Sequence, residues 1–136
     1  MPILLAPVRR EVRVRVPVAV AFDAFTHQIG TWWPLSAGGG PAVFAEGRLV
    51  QGEQVWAEVI TWDRPRAMRL AWRHDGDQRT NVDLRFVMDG EAATIVRVVH
   101  DGWERVTQPA AAAKHYGGDR GWREVLQCFG AAVARS

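Results

Sequence analysis

The sequence predicts an α+β fold in which a curved antiparallel sheet of about seven strands wraps around a long C-terminal helix, with two short helices after the first strand. Three observations predict it. The chain opens with an alternating apolar and charged segment, continues with short strand-like segments at hairpin spacing, and ends in an apolar helical period. A one-sided sheet must cover its apolar face, so we expect the last helix to lie across it and leave a ligand cavity.

The first strand is predicted over Val8–Val16, where valines alternate with charged residues. Pro17 breaks this alternation and suits a first helical position. The next residues predict an amphipathic helix that is kinked near Gly30 and ends at Trp32–Pro34. Its apolar face is formed by Val18, Ala21, Phe22, Phe25 and Ile29.

Six further strands are predicted, and their consecutive order indicates an antiparallel meander. Asp89-Gly90 is a strong hairpin signal between the last two. The glycine-rich stretch Ser36–Pro41 lacks the spacing of a phosphate-binding loop, so we interpret it as a connector. The six predicted strands are Ala42–Ala45, Arg48–Gln51, Gln54–Trp62, Ala67–Arg73, Arg79–Met88 and Ala93–Asp101.

The C-terminal part predicts an irregular segment followed by the long helix. Gly102–Gly118 contains a proline, four alanines and two glycines, and at most a short helical turn is expected there. Asp119 is the predicted N-cap of a helix that runs to Arg135. No repeat or linker interrupts the chain, so we expect a single domain over residues 1–136.

Composition narrows the function classes. The 136 residues are 48% hydrophobic and 24% charged, which suits a globular protein. No apolar run approaches the length of about 20 residues that spans a membrane, and the single Cys128 cannot form an internal disulfide. We therefore expect a cytoplasmic protein without a membrane span.

The basic residues are scattered over the strands rather than clustered. The net charge is only +2, and the arginines fall at alternate strand positions, as on the solvated face of a one-sided sheet. This pattern favours a solvated sheet face over a nucleic-acid platform, so no nucleic-acid partner is expected. The arginines are Arg13, Arg15, Arg69, Arg73, Arg85 and Arg97.

An ordered set of segments resembles a known superfamily. The set comprises Val16–Thr26, Ile29–Pro34, Trp56–Val59, Trp62–Pro65, Leu70–Trp72, Val82–Phe86, Thr94–Trp103 and Gly121–Leu126. It resembles the START-like (SRPBCC) superfamily, and within it the bacterial-type branch named after the C-terminal domain of the activator of heat-shock-protein ATPase. The resemblance implies one START-like domain with a helix-grip fold, but it does not settle function, because members include ligand carriers and cyclases. Ala57 stands where members often carry glycine.

Seven tryptophans fall on the elements that would frame the cavity. An aromatic wall would bind flat or hydrophobic ligands by burying their apolar surface and by ring stacking. Each tryptophan could instead be a structural residue of the core or rim. Histidine spacing predicts no metal site, and no cofactor is expected. The cavity candidates are Trp33, Trp56, Glu58, Trp72, Phe86, His100, Trp103, Tyr116, Trp122, Leu126 and Phe129.

The polar candidates have open alternatives. His100 shares strand parity with inward valines, so it is either a satisfied core histidine or a ligand contact and base. Glu58 is a buried carboxylate if the parity of Trp56 faces inward, and is solvated if Ala57 faces inward. Tyr116 is expected in a loop that either covers the cavity mouth or is simply exposed.

The sequence favours a protein that binds a hydrophobic or aromatic small molecule between the sheet and the last helix. One alternative is a cyclase or hydrolase acting on an aromatic or polyketide-like substrate, although no catalytic motif is recognisable. Another is a co-chaperone-like or regulatory domain that binds a protein partner. Homodimerisation is left open.

Overall fold

The computed structural model describes residues 5–34, 40–74 and 76–135. Within these ranges it forms a seven-stranded antiparallel sheet and three α-helices, with short 3-10 turns at Ile29–Thr31 and Trp103–Arg105. The predicted fold class is confirmed. The strands are β1 (Val8–Val14), β2 (Ala42–Ala45), β3 (Arg48–Gln51), β4 (Gln54–Asp63), β5 (Ala67–Arg73), β6 (Arg79–Met88) and β7 (Thr94–Asp101), and the helices are α1 (Val18–Thr26), α2 (Pro109–Gly117) and α3 (Trp122–Arg135).

The sheet order is β1-β7-β6-β5-β4-β3-β2. Strands β2 to β7 therefore form the predicted meander, in which each strand pairs with its neighbour in sequence. Strand β1 pairs with β7 instead, with Val8 opposite His100 and Val14 opposite Thr94. This pairing places the start of the chain beside the last strand, where α3 packs against β1.

The inner face of the sheet carries the core. Alternate residues of β5, β6 and β7 are buried there, and the apolar side of α3 closes over them. Phe129 of α3 is 0% exposed, and burying a side chain of this size stabilises the fold by about 1.5–3 kcal/mol. The alternation that predicted these strands thus corresponds to one continuous core.

The outer face carries ion pairs. Arg13 pairs with Asp89 at 2.6 Å, and Arg97 pairs with Glu11 at 3.2 Å across β1 and β7. All four side chains are about half exposed, and such pairs contribute at most about 1 kcal/mol each. Five of the six alternate arginines lie beside carboxylates on this solvated face, namely Arg13, Arg69, Arg73, Arg85 and Arg97.

Two sequence predictions about the C-terminal part are wrong. The segment expected to be irregular contains the nine-residue α2, whose alanines gave no apolar period to reveal it. Asp119 does not cap the last helix, because α3 begins three residues later at Trp122. The Asp119 carboxylate instead accepts a hydrogen bond from Arg123 at 3.3 Å.

Other element bounds differ little from the prediction. Strand β1 ends at Val14 rather than Val16, because the chain bends before Pro17 to enter α1. The predicted helix after it is divided into α1 and the 3-10 turn Ile29–Thr31. Most of the predicted glycine-rich connector lies outside the described residues, at 35–39.

The junction between α2 and α3 depends on a close backbone approach at Gly121. A Cβ added there would overlap the carbonyl group of Tyr116, which is backbone and cannot rotate away. The Gly121 amide also donates to the Gly118 carbonyl at 3.1 Å, which tightens the turn. A residue without a side chain is therefore needed where the chain enters α3.

We expect Gly121→Ala to lower the free energy of unfolding by roughly 1–3 kcal/mol, because the added methyl group must displace backbone. Urea denaturation measures the change. Gly130→Ala is the matched control within α3, since a Cβ there meets only the Val12 Cγ2 methyl, at 3.2 Å. Equal stability of Gly121→Ala and the wild type would contradict the proposed close approach.

Candidate ligand-binding site

Three indoles converge on the inner face of the sheet. Trp33 follows the first 3-10 turn, Trp56 lies on β4 and Trp72 lies on β5. Their ring centroids are 5.9 Å apart for Trp33–Trp56, 6.0 Å for Trp33–Trp72 and 6.1 Å for Trp56–Trp72. Trp72 is 2% exposed, whereas Trp33 and Trp56 are only partly buried. We call these three residues the tryptophan cluster.

A β-bulge turns Trp56 towards the cluster. Leu49 pairs with Ala57, but the next residue of β3, Val50, pairs with Val55, so Trp56 is the extra residue. Ala57 is itself opposite the inward Trp72 and is 0% exposed. In a bulge, successive residues need not alternate between faces, so both Trp56 and Ala57 can lie on the inner side.

Gln51 holds the Trp56 ring in place. Its side-chain oxygen accepts a hydrogen bond from Trp56 Nε1 at 3.2 Å, and its amide nitrogen donates to the Gly40 carbonyl at 2.9 Å. Gln51 is 8% exposed and shares the inward parity of Leu49. The sequence interpretation missed this residue, although its position two residues after Leu49 on a predicted strand could have indicated an inward amide.

Trp33 differs from Trp56 in one respect. Its Nε1 atom is buried, and no hydrogen-bond acceptor lies within reach of it among the described residues. The ring contacts Trp32 at 5.9 Å in addition to the other two members of the cluster. The tryptophan cluster therefore contains one buried donor that the described part of the chain does not satisfy.

The second group of candidates surrounds His100. The imidazole is 0% exposed, and its ring centroid lies 4.5 Å from that of Trp103 and 4.5 Å from that of Tyr116. Trp122 of α3 contacts Trp72 at 5.0 Å and joins this group to the tryptophan cluster. Tyr116 lies on α2 rather than in the expected loop.

Both nitrogens of His100 are occupied by protein groups. Trp122 Nε1 donates to Nδ1 at 2.8 Å, and Nε2 lies 2.6 Å from Thr80 Oγ1. Because Nδ1 accepts, the neutral ring carries its proton on Nε2 and donates it to Thr80. The hydroxyl of Thr80 can then donate to the Trp72 carbonyl at 3.4 Å. Thr80 was missed in the sequence interpretation, although it shares parity with Val82.

Burial makes His100 a neutral residue. Loss of hydration, with a smaller contribution from the charge of His74, lowers the pKa of His100 to about 3. The ring is therefore uncharged at neutral pH, in agreement with a hydrogen-bonding pattern that uses one nitrogen as an acceptor. This geometry corresponds to the core-histidine alternative.

Trp103 reaches His100 because of the residue before it. Gly102 has a φ of +89°, a left-handed conformation that follows directly after β7. A Cβ at Gly102 would meet the backbone nitrogen of Asn81 at 3.2 Å. The turn brings Trp103 onto His100, and its Nε1 donates to the Ala6 carbonyl at 3.2 Å.

The remaining candidates lie away from the tryptophan cluster. Phe86 and Phe129 pack with α1, since each contacts Phe25, at 5.7 Å and 5.2 Å. Leu126 is buried on α3 at 2% exposure. Glu58 lies on the outer face.

Glu58 is part of an ion-pair network on the outer face. Its Oε1 accepts hydrogen bonds from Arg73 Nε at 2.9 Å and Arg79 Nε at 3.1 Å. The hydrogen bond from Arg73, with the charge of Arg79, holds the pKa of the Glu58 carboxyl below its usual value. The sequence left open whether Glu58 is buried or solvated. In the structure Ala57 faces inward, so Glu58 does not line the inner face.

An open groove of about 580 Å³ lies between α1 and α3. Of the sequence candidates only Phe129 lines it, beside Asp23, Trp32 and Arg135. In the described part of the chain, no three side chains of histidine, cysteine, aspartate or glutamate are grouped to hold a metal ion. None of its helices combines the length and apolarity needed to cross a bilayer.

Comparison with known proteins identifies the fold. Neither a protein-family model nor a curated protein matches the sequence. Among solved structures, the self-sacrificing resistance protein CalC from Micromonospora echinospora matches with a TM-score of 0.75 at 26% identity, covering 96% of this chain and 95% of CalC. The chain has the helix-grip fold of SRPBCC proteins. The predicted resemblance is confirmed at that level.

Two further neighbours show how widely this fold is used. An anthrahydroquino-gamma-pyrone synthase, Txn09, matches with a TM-score of 0.63 at 25% identity over 96% of this chain and 99% of the synthase. The Aha1 dimer from Colwellia psychrerythraea matches with a TM-score of 0.63 at 16% identity, covering 95% of this chain and 96% of the other. The last likeness concerns the fold alone.

The low pKa of His100 predicts acid sensitivity. The pKa of the ring is 6.5 in the unfolded chain and about 3 in the folded protein. Between these two pH values the unfolded state therefore binds one proton more than the folded state. His100 should therefore lower the free energy of unfolding by about 1.4 kcal/mol for each pH unit between pH 6 and pH 4. Urea denaturation at several pH values should show a shallower slope for His100→Gln than for the wild type.

His115→Gln is the control for this experiment, because His115 is an exposed histidine of α2. It should keep the slope of the wild type. If His100→Gln keeps the same slope as well, the ring is not held neutral by the fold.

Proposed function

We propose that the protein binds a hydrophobic or aromatic small molecule at the inner face of its sheet, beside α3. The tryptophan cluster is the observation that supports this proposal. Its three indoles come from separate segments of the chain, and two of them remain partly exposed at the rim. Aromatic faces at a partly open rim offer a ligand both area burial and ring stacking.

The structural neighbours support an aromatic ligand class. The synthase that matches over nearly its whole length is named for a polycyclic aromatic product. At 25% identity, the likeness to this synthase supports a class of ligand for the present protein but does not support a reaction. A flat ring system would suit the indoles of the tryptophan cluster.

The placement of the polar candidates favours binding over turnover. A cyclase or hydrolase needs a group that can exchange a proton with its substrate. His100 has both ring nitrogens engaged by Trp122 and Thr80, and Glu58 lies on the outer face between two arginines. His100 and Glu58, the two residues that the sequence indicated as candidates for acid–base chemistry, are therefore already hydrogen-bonded to protein groups.

The domain organisation expected from the sequence is carried forward as a proposal. We propose that residues 1–136 form one START-like domain, as the shared core of the sheet and α3 suggests. A homodimer and a co-chaperone-like protein partner are the alternatives that the sequence leaves open.

Two tryptophans of β4 provide a matched test of the proposed site. Trp56 belongs to the tryptophan cluster, whereas Trp62 is 42% exposed and contacts Phe22 and Phe44 at the other end of the strand. We expect Trp56→Ala to weaken the binding of an aromatic ligand by roughly twofold to tenfold, the contribution of one ring contact. Trp62→Ala should leave the affinity unchanged.

The measurement is a titration of intrinsic fluorescence with palmitate, quercetin and 9-fluorenone, representing a fatty acid, a flavonoid and a small polycycle. Saturable quenching by at least one aromatic compound is the expected result. If no compound gives saturation, or if Trp62→Ala weakens binding as much as Trp56→Ala, the proposed site is wrong.

A further inference from the structure

One hydrogen-bond donor of the tryptophan cluster has no partner within residues 5–34, 40–74 and 76–135. Trp33 Nε1 is buried, and it has no acceptor among the described residues. Four other indoles each donate to a protein acceptor: Trp32 to the Ala24 carbonyl at 3.2 Å, Trp56 to Gln51 at 3.2 Å, Trp103 to the Ala6 carbonyl at 3.2 Å and Trp122 to His100 at 2.8 Å.

A buried, unpaired N–H group is costly. Leaving such a donor without a partner destabilises a protein, and most native structures avoid it. Trp33 is only partly buried as a residue and packs on the edge of the core rather than within it. Part of the Trp33 side chain is exposed although Nε1 itself is covered, so the ring must turn for the donor to meet a molecule at the rim of the proposed binding site.

We propose that Trp33 Nε1 is the anchor for a carbonyl oxygen on a flat aromatic ligand. This inference rests on the proposed function and adds the chemistry by which the ligand is oriented. In the described residues, the polar groups of the cluster are its indoles and the amide of Gln51, which are uncharged. A neutral oxygen suits these surroundings better than a carboxylate, which would lose its hydration without gaining a counter-ion.

The ring geometry is compatible with a ligand that stacks on one of these indoles. The interplanar angles are 65° for Trp33–Trp56, 44° for Trp33–Trp72 and 34° for Trp56–Trp72. None of the three pairs is stacked face to face. Trp33 and Trp56 meet edge to face, so neither is stacked on the other, and a ligand ring can take a face of one indole while Trp33 Nε1 donates to its oxygen.

A pair of probes isolates the hydrogen bond. 9-Fluorenone and fluorene share the same three-ring skeleton, but only fluorenone carries a carbonyl oxygen. Trp33→Phe removes the N–H group and keeps an aromatic ring. We expect this substitution to weaken fluorenone binding by about fivefold more than fluorene binding, since a net hydrogen bond contributes about 1 kcal/mol.

Trp56→Phe is the matched control variant. Its N–H group already donates to Gln51, so its loss should change the affinities for both probes by the same factor. A second readout uses the wild-type protein labelled with ¹⁵N. The indole N–H resonance of Trp33, assigned by through-bond correlation, should move downfield on addition of fluorenone and stay near its free position with fluorene.

The outcomes separate this inference from the proposed function. A selective loss for fluorenone in Trp33→Phe, with the downfield shift, supports the anchor. If both probes bind the wild type but Trp33→Phe affects them equally, the anchor is wrong and the aromatic site stands. If neither probe binds and the ligand panel also fails, the proposed function and the anchor are both wrong.

Discussion

A single buried imidazole joins the helix to the sheet. His100 on β7 accepts a hydrogen bond from Trp122 on α3 and donates to Thr80 on β6. Each bond matters because a polar atom left unpaired at this depth would cost about 1–3 kcal/mol. Thr80 extends the network to the Trp72 backbone, so the same residue also fixes one wall of the tryptophan cluster.

The deep and shallow ends of the inner face differ in how their polar groups are paired. Around His100, both ring nitrogens have protein partners and the ring is 0% exposed. At the rim, Trp33 keeps a donor without a partner among the described residues. A fully hydrogen-bonded imidazole at depth beside an unpaired donor near the edge is consistent with the proposed binding of a ligand at that edge.

Sequence patterns predicted regular elements well and irregular ones poorly. Strands β6 and β7 alternate without interruption, so their inward residues, including His100, could be assigned from parity alone. Strand β4 could not be assigned in this way. Its register shifts at Trp56 and again near Ile60, so Trp56, Ala57 and Val59 lie inward while Glu58 lies outward. A bulge depends on pairing with neighbouring strands, which a single strand's pattern does not contain.

The bulge at Trp56 also makes the wall of the site easy to remodel during evolution. In a regular strand, deleting one residue moves every later side chain of the strand to the opposite face of the sheet, which strongly destabilises the fold. Here the extra residue is already outside the ladder, so its loss would restore ordinary pairing between β3 and β4. The loss of one codon would thus remove an indole and leave β3 and β4 regularly paired, which gives related chains a short mutational route to a differently shaped wall at the proposed site.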